Sequence, residues 1–274
     1  MLTRHWFITT YNRHTDIIRV IKKMNSSIKN KIRTKFNRAA KTYDLHCIIQ
    51  NAICQRSIQL LLSHQNSFKH VADFACGTGE STLYLQQHIN FKKCYAVDFA
   101  EQLLTVAQNK VTNINHIDWI HSDFEHPLHV PHKLDLIFCN MGLQWSNDFS
   151  TTLCLWQQYL DKNGLLLFSI PIAGNFPEIK KNCKPTLLDH QQIINWLSEN
   201  HWQHVTNEVD FFEKEFKSPI EALKSLKATG ANYCKNNIRQ ASGLSPINLN
   251  EIFLCLNNHK LTYKIGIYLV RNIL

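Results

Sequence analysis

The stretch Val71-Ala72-Asp73-Phe74-Ala75-Cys76-Gly77-Thr78-Gly79 runs an apolar segment straight into a glycine turn, after which Glu80–Gln87 takes up a helical pattern. A buried strand, a glycine turn and a helix in that order open a doubly wound α/β sheet, in which ligands bind outside the carboxyl ends of the strands. Gly77 and Gly79 allow the backbone to come close to such a ligand. A short G-x-G alone is equally compatible with a tight turn that holds nothing, so its surroundings decide.

Downstream, strand patterns at Cys94–Phe99, Ile117–His121, Leu134–Asn140 and Leu165–Ile170 alternate with helical patterns at Glu101–Lys110 and Phe149–Leu160. This alternation predicts a parallel sheet with right-handed crossovers. Asn163-Gly164 reads as a turn into the fifth strand. The rhythm then changes to a helix at Gln191–Ser198, a strand at His204–Phe212, a helical insert from Pro219 to about Tyr233 and a last strand at Leu261–Val270. Upstream, Ile32, Phe36, Ala39, Ala40 and Tyr43, then Ile48, Ile49, Ile53 and Leu60–Leu62, recur near helical spacing. The expected fold is α/β: a doubly wound, seven-stranded, mostly parallel sheet with N-terminal helices and a small helical insertion around 218–256, all within one domain over 24–274.

The formal charge is +9, but 11 of the 30 basic residues and only one of the 21 acids, Asp16, fall in residues 1–41. The body is therefore nearly neutral, which argues against a nucleic-acid partner. Residues 1–23 read as a basic, unstructured extension. The nine cysteines are scattered without paired spacing, pointing to a reducing cytoplasm and to no zinc site. The longest apolar stretch, Leu165 to Ala173, is too short to cross a bilayer.

Acids follow the strands. Asp98, 19 residues beyond Gly79, ends the second strand, where a carboxylate can accept both hydroxyls of a ribose. Asp123 follows the third strand, placed to receive an adenine amino group, with Phe99 and Phe124 flanking the ring. A dinucleotide fingerprint would need a third glycine, but Thr82 or Glu80 stands there, and Glu80 would repel a pyrophosphate. S-adenosylmethionine, which carries an ammonium, a sulfonium and no phosphate, tolerates Asp73 and Glu80.

Together, Asp73 to Gly79, Asp98, Ser122-Asp123 and Asp135-Leu136-Ile137-Phe138-Cys139-Asn140 resemble the class I methyltransferases. That family usually has glycine where Ala75 stands, so a slightly narrowed pocket is expected, and its sheet typically ends in a reversed last strand, which Leu261–Val270 would supply. Phe36-Asn37-Arg38-Ala39-Ala40-Lys41-Thr42-Tyr43, Asn140-Met141-Gly142-Leu143-Gln144-Trp145, Phe176-Pro177-Glu178-Ile179, Leu223 to Asn232 and Leu261-Thr262-Tyr263 are similar to the narrower BioC group, malonyl-acyl-carrier-protein O-methyltransferases of biotin synthesis.

The resemblance implies S-adenosylmethionine as cofactor, held by Asp73, Ala75, Gly77, Gly79, Asp98, Phe99, Asp123, Phe124 and Asn140. It implies a malonyl thioester on an acidic acyl carrier protein as substrate; the neutral body and the short apolar stretch add the expectation of no nucleic acid and no membrane. Another small carboxylate, a quinone precursor or tRNA is the alternative substrate. Lys29, Lys31, Arg33, Lys35, Arg38, Lys224 and Lys227 would steer an acidic carrier, or else form solvated helix faces. Tyr43 and Trp145 are candidates for the substrate mouth, and the Gln144 amide for holding a carboxylate or carbonyl oxygen. His126, His129 and His132 read as a polar loop, because Pro127 and Pro131 break any helix that would align them. Cys76 has no partnered histidine and reads as structural.

Overall fold

The computed structural model describes residues 27–111, 115–179, 187–228 and 260–274. Residues 1–23, and the 218–256 insertion beyond its first helix, lie outside them.

Two helices precede the sheet: residues 27–39 (α1) and Ile48–Leu62 (α2), joined through a single 3-10 turn at Tyr43–Leu45. Then follow β1 (His70–Phe74), α3 (Glu80–His88), β2 (Lys93–Asp98), α4 (Glu101–Lys110), β3 (Ile117–His121), β4 (Leu134–Asn140), α5 (Phe149–Tyr159) and β5 (Leu160–Pro171). The chain continues through α6 (His190–Glu199), β6 (Trp202–Glu215), α7 (Pro219–Ala228) and β7 (Lys260–Asn272). One sheet has the order β3-β2-β1-β4-β5-β7-β6, and β7 alone runs antiparallel to its neighbours. This is the expected seven-stranded fold with its reversed last strand.

Side chains alternate across the sheet because a strand points successive residues to opposite faces. Val71, Leu165, Leu167, Ile265 and Ile267 pack on one face with Ile49, Ile53 and Leu61 of α2. Ala72, Phe74, Leu166, Phe168 and Tyr268 pack on the other with Trp156 of α5 and Ile193 of α6. Burying such side chains on both faces stabilises the sheet by about 1.5–3 kcal/mol for each large apolar residue.

Asn163-Gly164 is not a free turn into β5. It lies within the extended run as an irregularity, with Asn163 at φ 67° and the β4 register shifted between Leu134 and Leu136. A side chain at Gly164 would come within 2.9 Å of the Leu134 carbonyl oxygen. The glycine therefore serves close packing, while the asparagine takes the left-handed conformation.

The chain order reverses between β1 and β4, and a doubly wound sheet opens its ligand crevice at that point. The C-terminal ends of β1, β2, β3 and β4 accordingly carry the site.

Candidate active site

Beyond Phe74 the backbone turns through three left-handed residues: Ala75 (φ 61°), Gly77 (φ 56°) and Gly79 (φ 82°). Asp98 ties this turn to the end of β2, its Oδ2 accepting from the Gly77 amide at 2.9 Å and its Oδ1 from the Ala100 amide at 2.7 Å. Burial pushes the Asp98 carboxyl up to about 6, against the pull of those two N–H donors, with the charge of Asp123 adding to the rise. A Cβ added at Gly77 would meet no protein atom within 4 Å, so space lies open over this peptide.

Gly79 differs. Its added Cβ would reach Ala107 Cβ at 3.0 Å and Trp119 at 3.1 Å, so its missing side chain lets α3 seat against α4 and β3. Ala75 also differs from the expected narrowing of the pocket. A Cβ at Gly142 would lie 2.5 Å from Ala75 Cβ, which means the alanine methyl fills the room that Gly142 leaves. The left-handed conformation of Ala75 costs about 1–2 kcal/mol.

Asp73 is fully buried and accepts from Ser81 Oγ (2.7 Å) and Thr82 Oγ1 (2.6 Å) through one oxygen, while Oδ1 has no partner. Burial raises its pKa to about 7, with the two hydroxyls opposing that rise. Gln144 donates from Nε2 to the Met141 carbonyl at 2.7 Å, leaving Oε1 buried and unpaired. Gln50 Oε1 is likewise orphaned, and its backbone carbonyl accepts from Asn140 Nδ2 at 3.0 Å. Buried acceptors without donors are rare in folded proteins, and three at this end of the sheet fit a ligand that brings N–H groups, such as an ammonium. The unpaired atom of Gln144 is thus an acceptor, which suits an N–H donor, while Nε2 has already spent one of its two N–H groups on Met141. Asn140 is occupied within the protein, since its Oδ1 also accepts from Ser169 Oγ at 2.8 Å.

Tyr43 and Trp145 lie on one small cluster, in which Ile28, Ile32, Phe36 and Ala40 pack on Ala100 and Leu103, with Phe99 alongside. Phe36 meets Trp145 edge-on at 5.5 Å and Tyr43 at 6.4 Å. Tyr43 is a neutral phenol, its pKa raised by burial and then by Cys47, Asp98 and Asp44. Phe124 is more deeply placed than a ring-flanking role suggests, packing edge-on against Trp156 at 5.4 Å.

Three side chains fasten the N-terminal segment here in ways that sequence reading missed. Lys29, expected to steer a partner from the surface, is only 8% exposed. It pairs with Asp123 Oδ1 at 3.1 Å and with Glu125, and donates to the Trp145 carbonyl at 3.3 Å. Its spacing to Ile32 and Phe36, i, i+3 and i+7 on one helix, was the available signal. Asp44 accepts from Thr78 of the glycine turn and from Lys110, which also reaches Glu80 at 2.7 Å. Asn37 adds a third fastening, its Oδ1 accepting from the Gln102 amide in the first turn of α4.

Cys76 is buried, and burial with the charges of Asp98 and Asp73 raises its thiol well above the usual range, consistent with a structural residue. His132 stacks on His70 at 4.4 Å, at the opposite end of β1. Among the described residues no helix is long and apolar enough to cross a membrane.

Residues 72–168 match a family described as Methyltransferase domain. The chain is 36% identical over 253 residues, 92% of its length and 99% of the relative's, to malonyl-acyl-carrier-protein O-methyltransferase 2 of Coxiella burnetii. It is 26% identical over 206 residues, 73% of the chain and 79% of the relative, to a malonyl-acyl-carrier-protein O-methyltransferase of Calditerrivibrio nitroreducens. A phosphoethanolamine N-methyltransferase of Haemonchus contortus, solved with S-adenosylhomocysteine, shares the fold at a TM-score of 0.54 and 12% identity, covering 80% of this chain and 52% of that one. With the glycine turn, the strand-end acids and nearly full-length similarity in hand, the chain belongs to the malonyl-acyl-carrier-protein O-methyltransferase family and is an S-adenosylmethionine-dependent O-methyltransferase of the class I fold.

Proposed function

We propose that the substrate is the free carboxylate of a malonyl thioester on an acyl carrier protein, methylated as an early step towards pimeloyl in biotin synthesis. The observation that carries this reading is the 36% identity extending over 99% of a relative that bears that activity in its name. Bound S-adenosylmethionine supplies a sulfonium methyl that a carboxylate oxygen can take, the carbon–sulfur electron pair staying on sulfur.

Each site residue then has a proposed task. Asp98 accepts from the ribose hydroxyls, and Asp123 from the adenine amino group beside Phe99 and Phe124. Gly77 admits the cofactor against its backbone, while Gly79 and Ala75 shape that turn. Asp73 Oδ1 and Gln144 Oε1 accept from the methionine ammonium, directly or through water. Asn140 holds α2 over the pocket. Tyr43 and Trp145, with Phe36 behind them, exclude water and align the carboxylate.

A carboxyl group of ordinary pKa about 4 is ionised at pH 7, so its attack needs no general base. Catalysis is then a matter of in-line alignment and of a dry pocket in which opposite charges approach and neutralise one another. The neutral Tyr43 phenol suits positioning rather than proton removal.

The test mixes the full chain with S-adenosylmethionine, malonyl-carrier protein and bulk tRNA, and follows all products by mass spectrometry. One methyl on the malonyl carboxylate is expected. Methylated tRNA with unmodified carrier would transfer the assignment to the alternative.

A further inference from the structure

Lys29 stands among the groups assigned above to the adenine end of the cofactor site. Its ammonium lies 4.9 Å from the centroid of the Phe124 ring and 5.4 Å from that of Phe99, inside the range of cation–π attraction. It contacts Asp123 Oδ1 at 3.1 Å, the same oxygen that accepts from the Glu125 amide at 3.1 Å. Asp123 Oδ2 carries no hydrogen bond among the described residues. Glu125, paired to the same ammonium, is itself fixed by the Asn147 amide and by Asn147 Nδ2 at 2.9 Å.

Two acids two residues apart thus converge on one buried cation from α1, and that cation also holds the Trp145 carbonyl. A carboxylate turns easily about its last torsion, which has a broad profile. Here one oxygen is fixed by a cation and a backbone amide, so the other is set in one direction with its lone pairs free.

We propose that Lys29 is a positioning residue for base specificity: by fixing Asp123 Oδ1 it aims Oδ2 as a pure acceptor at the purine 6-position, selecting a 6-amino over a 6-oxo base. The helix that covers the pocket thereby helps read the cofactor. This rests on Asp123 facing the adenine, and the experiment separates the two claims.

Affinities of the full chain for S-adenosylhomocysteine and S-inosylhomocysteine are measured by calorimetry for wild type, Lys29→Met, Lys29→Arg and Asp123→Asn. The Asn variant keeps the shape but presents an amide. Wild type should favour the amino compound, and Asp123→Asn should erode that preference about tenfold or more, because a site built for one hydrogen-bonding pattern rejects the other strongly. Lys29→Met should erode the preference in the same direction, with Lys29→Arg restoring part of it. The Lys29→Met, Asp123→Asn double variant should lose little beyond Asp123→Asn alone, as expected for two residues acting through one contact.

A merely structural role for Lys29 would weaken both ligands alike and leave their ratio unchanged, overturning the proposal. Tighter binding of both ligands to Lys29→Met would also overturn it, by showing that the ammonium competes for the base's place. An unchanged ratio in Asp123→Asn would instead remove the adenine assignment of Asp123 itself. Thermal unfolding of each variant identifies any ratio measured on unfolded protein, and Lys29→Gln then replaces Lys29→Met.

Discussion

The glycine turn after β1 and the helical segment laid over it are held by contacts of different reach. In the turn, Asp73 binds Ser81 and Thr82 eight and nine residues away, and Asp98 binds Gly77 across 21. In the covering segment, Lys29 reaches Glu125 across 96 residues, Asp44 reaches Lys110 across 66, and Asn37 reaches Gln102 across 65. The first region is a local motif whose carboxylate contacts from Asp73 and Asp98 close within one β-α-β unit. The second acquires its function only when the sheet has brought distant charges to one edge. Substitutions in the turn should therefore cost cofactor affinity outright, whereas those in the covering segment should be graded and selective.

The largest effect is expected at Asp98. Asp98→Ala removes the acceptor for the Gly77 and Ala100 amides together with the proposed ribose contact, and hydrogen bonds to charged groups are worth about 1.5–3 kcal/mol each. S-adenosylhomocysteine affinity should fall on the order of 100-fold or more by calorimetry. A loss below threefold would detach the turn from cofactor binding and break the comparison at its stronger end.

Asp44→Asn should be milder and should act elsewhere. Its carboxylate ties Tyr43's turn to Thr78 and Lys110, but the Lys110 pair is partly open to water, and such pairs contribute about 0.2–1 kcal/mol. The expected outcome is a three- to tenfold fall in kcat/KM for malonyl-carrier, about what one or two such contacts represent, with cofactor affinity little changed. Equal losses in both quantities would show that the two regions act as one.

How much of this was legible in the sequence follows the same division. The strand ends, the glycine turn and the positions of Asp98 at the end of β2 and Asp123 after β3 were readable because periodicity and spacing are local, and so was the reversed last strand, from its resemblance. Ala75 was readable only as a departure; that its methyl fits into Gly142 depends on β1 and β4 lying side by side, which residue spacing does not encode. Lys29 was misread as a surface charge because its carboxylate partners follow β3, out of sight of α1. The direction of the Gln144 amide was illegible, since a backbone carbonyl three residues away fixes it.

The two raised carboxyls give a pH test of the turn. Asp73 at about 7 and Asp98 at about 6 hold protons in the folded chain that the unfolded chain, at ordinary values near 4, releases. Folding then binds protons across that interval, so their contribution to stability is full below pH 4, declines as pH rises through the interval and is lost above about 7. Asp73→Asn should flatten this decline, read as a melting temperature a few degrees higher than wild type at pH 8 relative to pH 5. S-adenosylhomocysteine should raise the wild-type melting temperature more at pH 8, because its ammonium favours the ionised carboxyl. A larger shift at pH 5 would contradict the ammonium assignment to Asp73.

The smallest effects should come from the outer face of α1, which sharpens the comparison within a single helix. Lys29, Ile32 and Phe36 point inward, whereas Lys31, Arg33 and Arg38 are exposed. An exposed charge acts on an acidic carrier only through solvent, where screening shortens its reach from about 10 Å at 0.1 M salt to about 3 Å at 1 M. It should change encounter rate rather than the bound geometry. Neutralising Lys31 and Arg33 together should therefore raise the KM for malonyl-carrier only about two- to threefold at low salt, and not at all at 1 M. Malonyl-coenzyme A, which lacks the carrier's acidic surface and carries its charge on its own phosphates and malonyl carboxylate, should respond less than the carrier. S-adenosylhomocysteine affinity should be unchanged because the buried Lys29 pairs are shielded from salt. If the double substitution changes carrier KM no more than it changes that for malonyl-coenzyme A, the outer face is simply solvated. The work of α1 would then lie entirely on the side that meets Asp123 and Trp145.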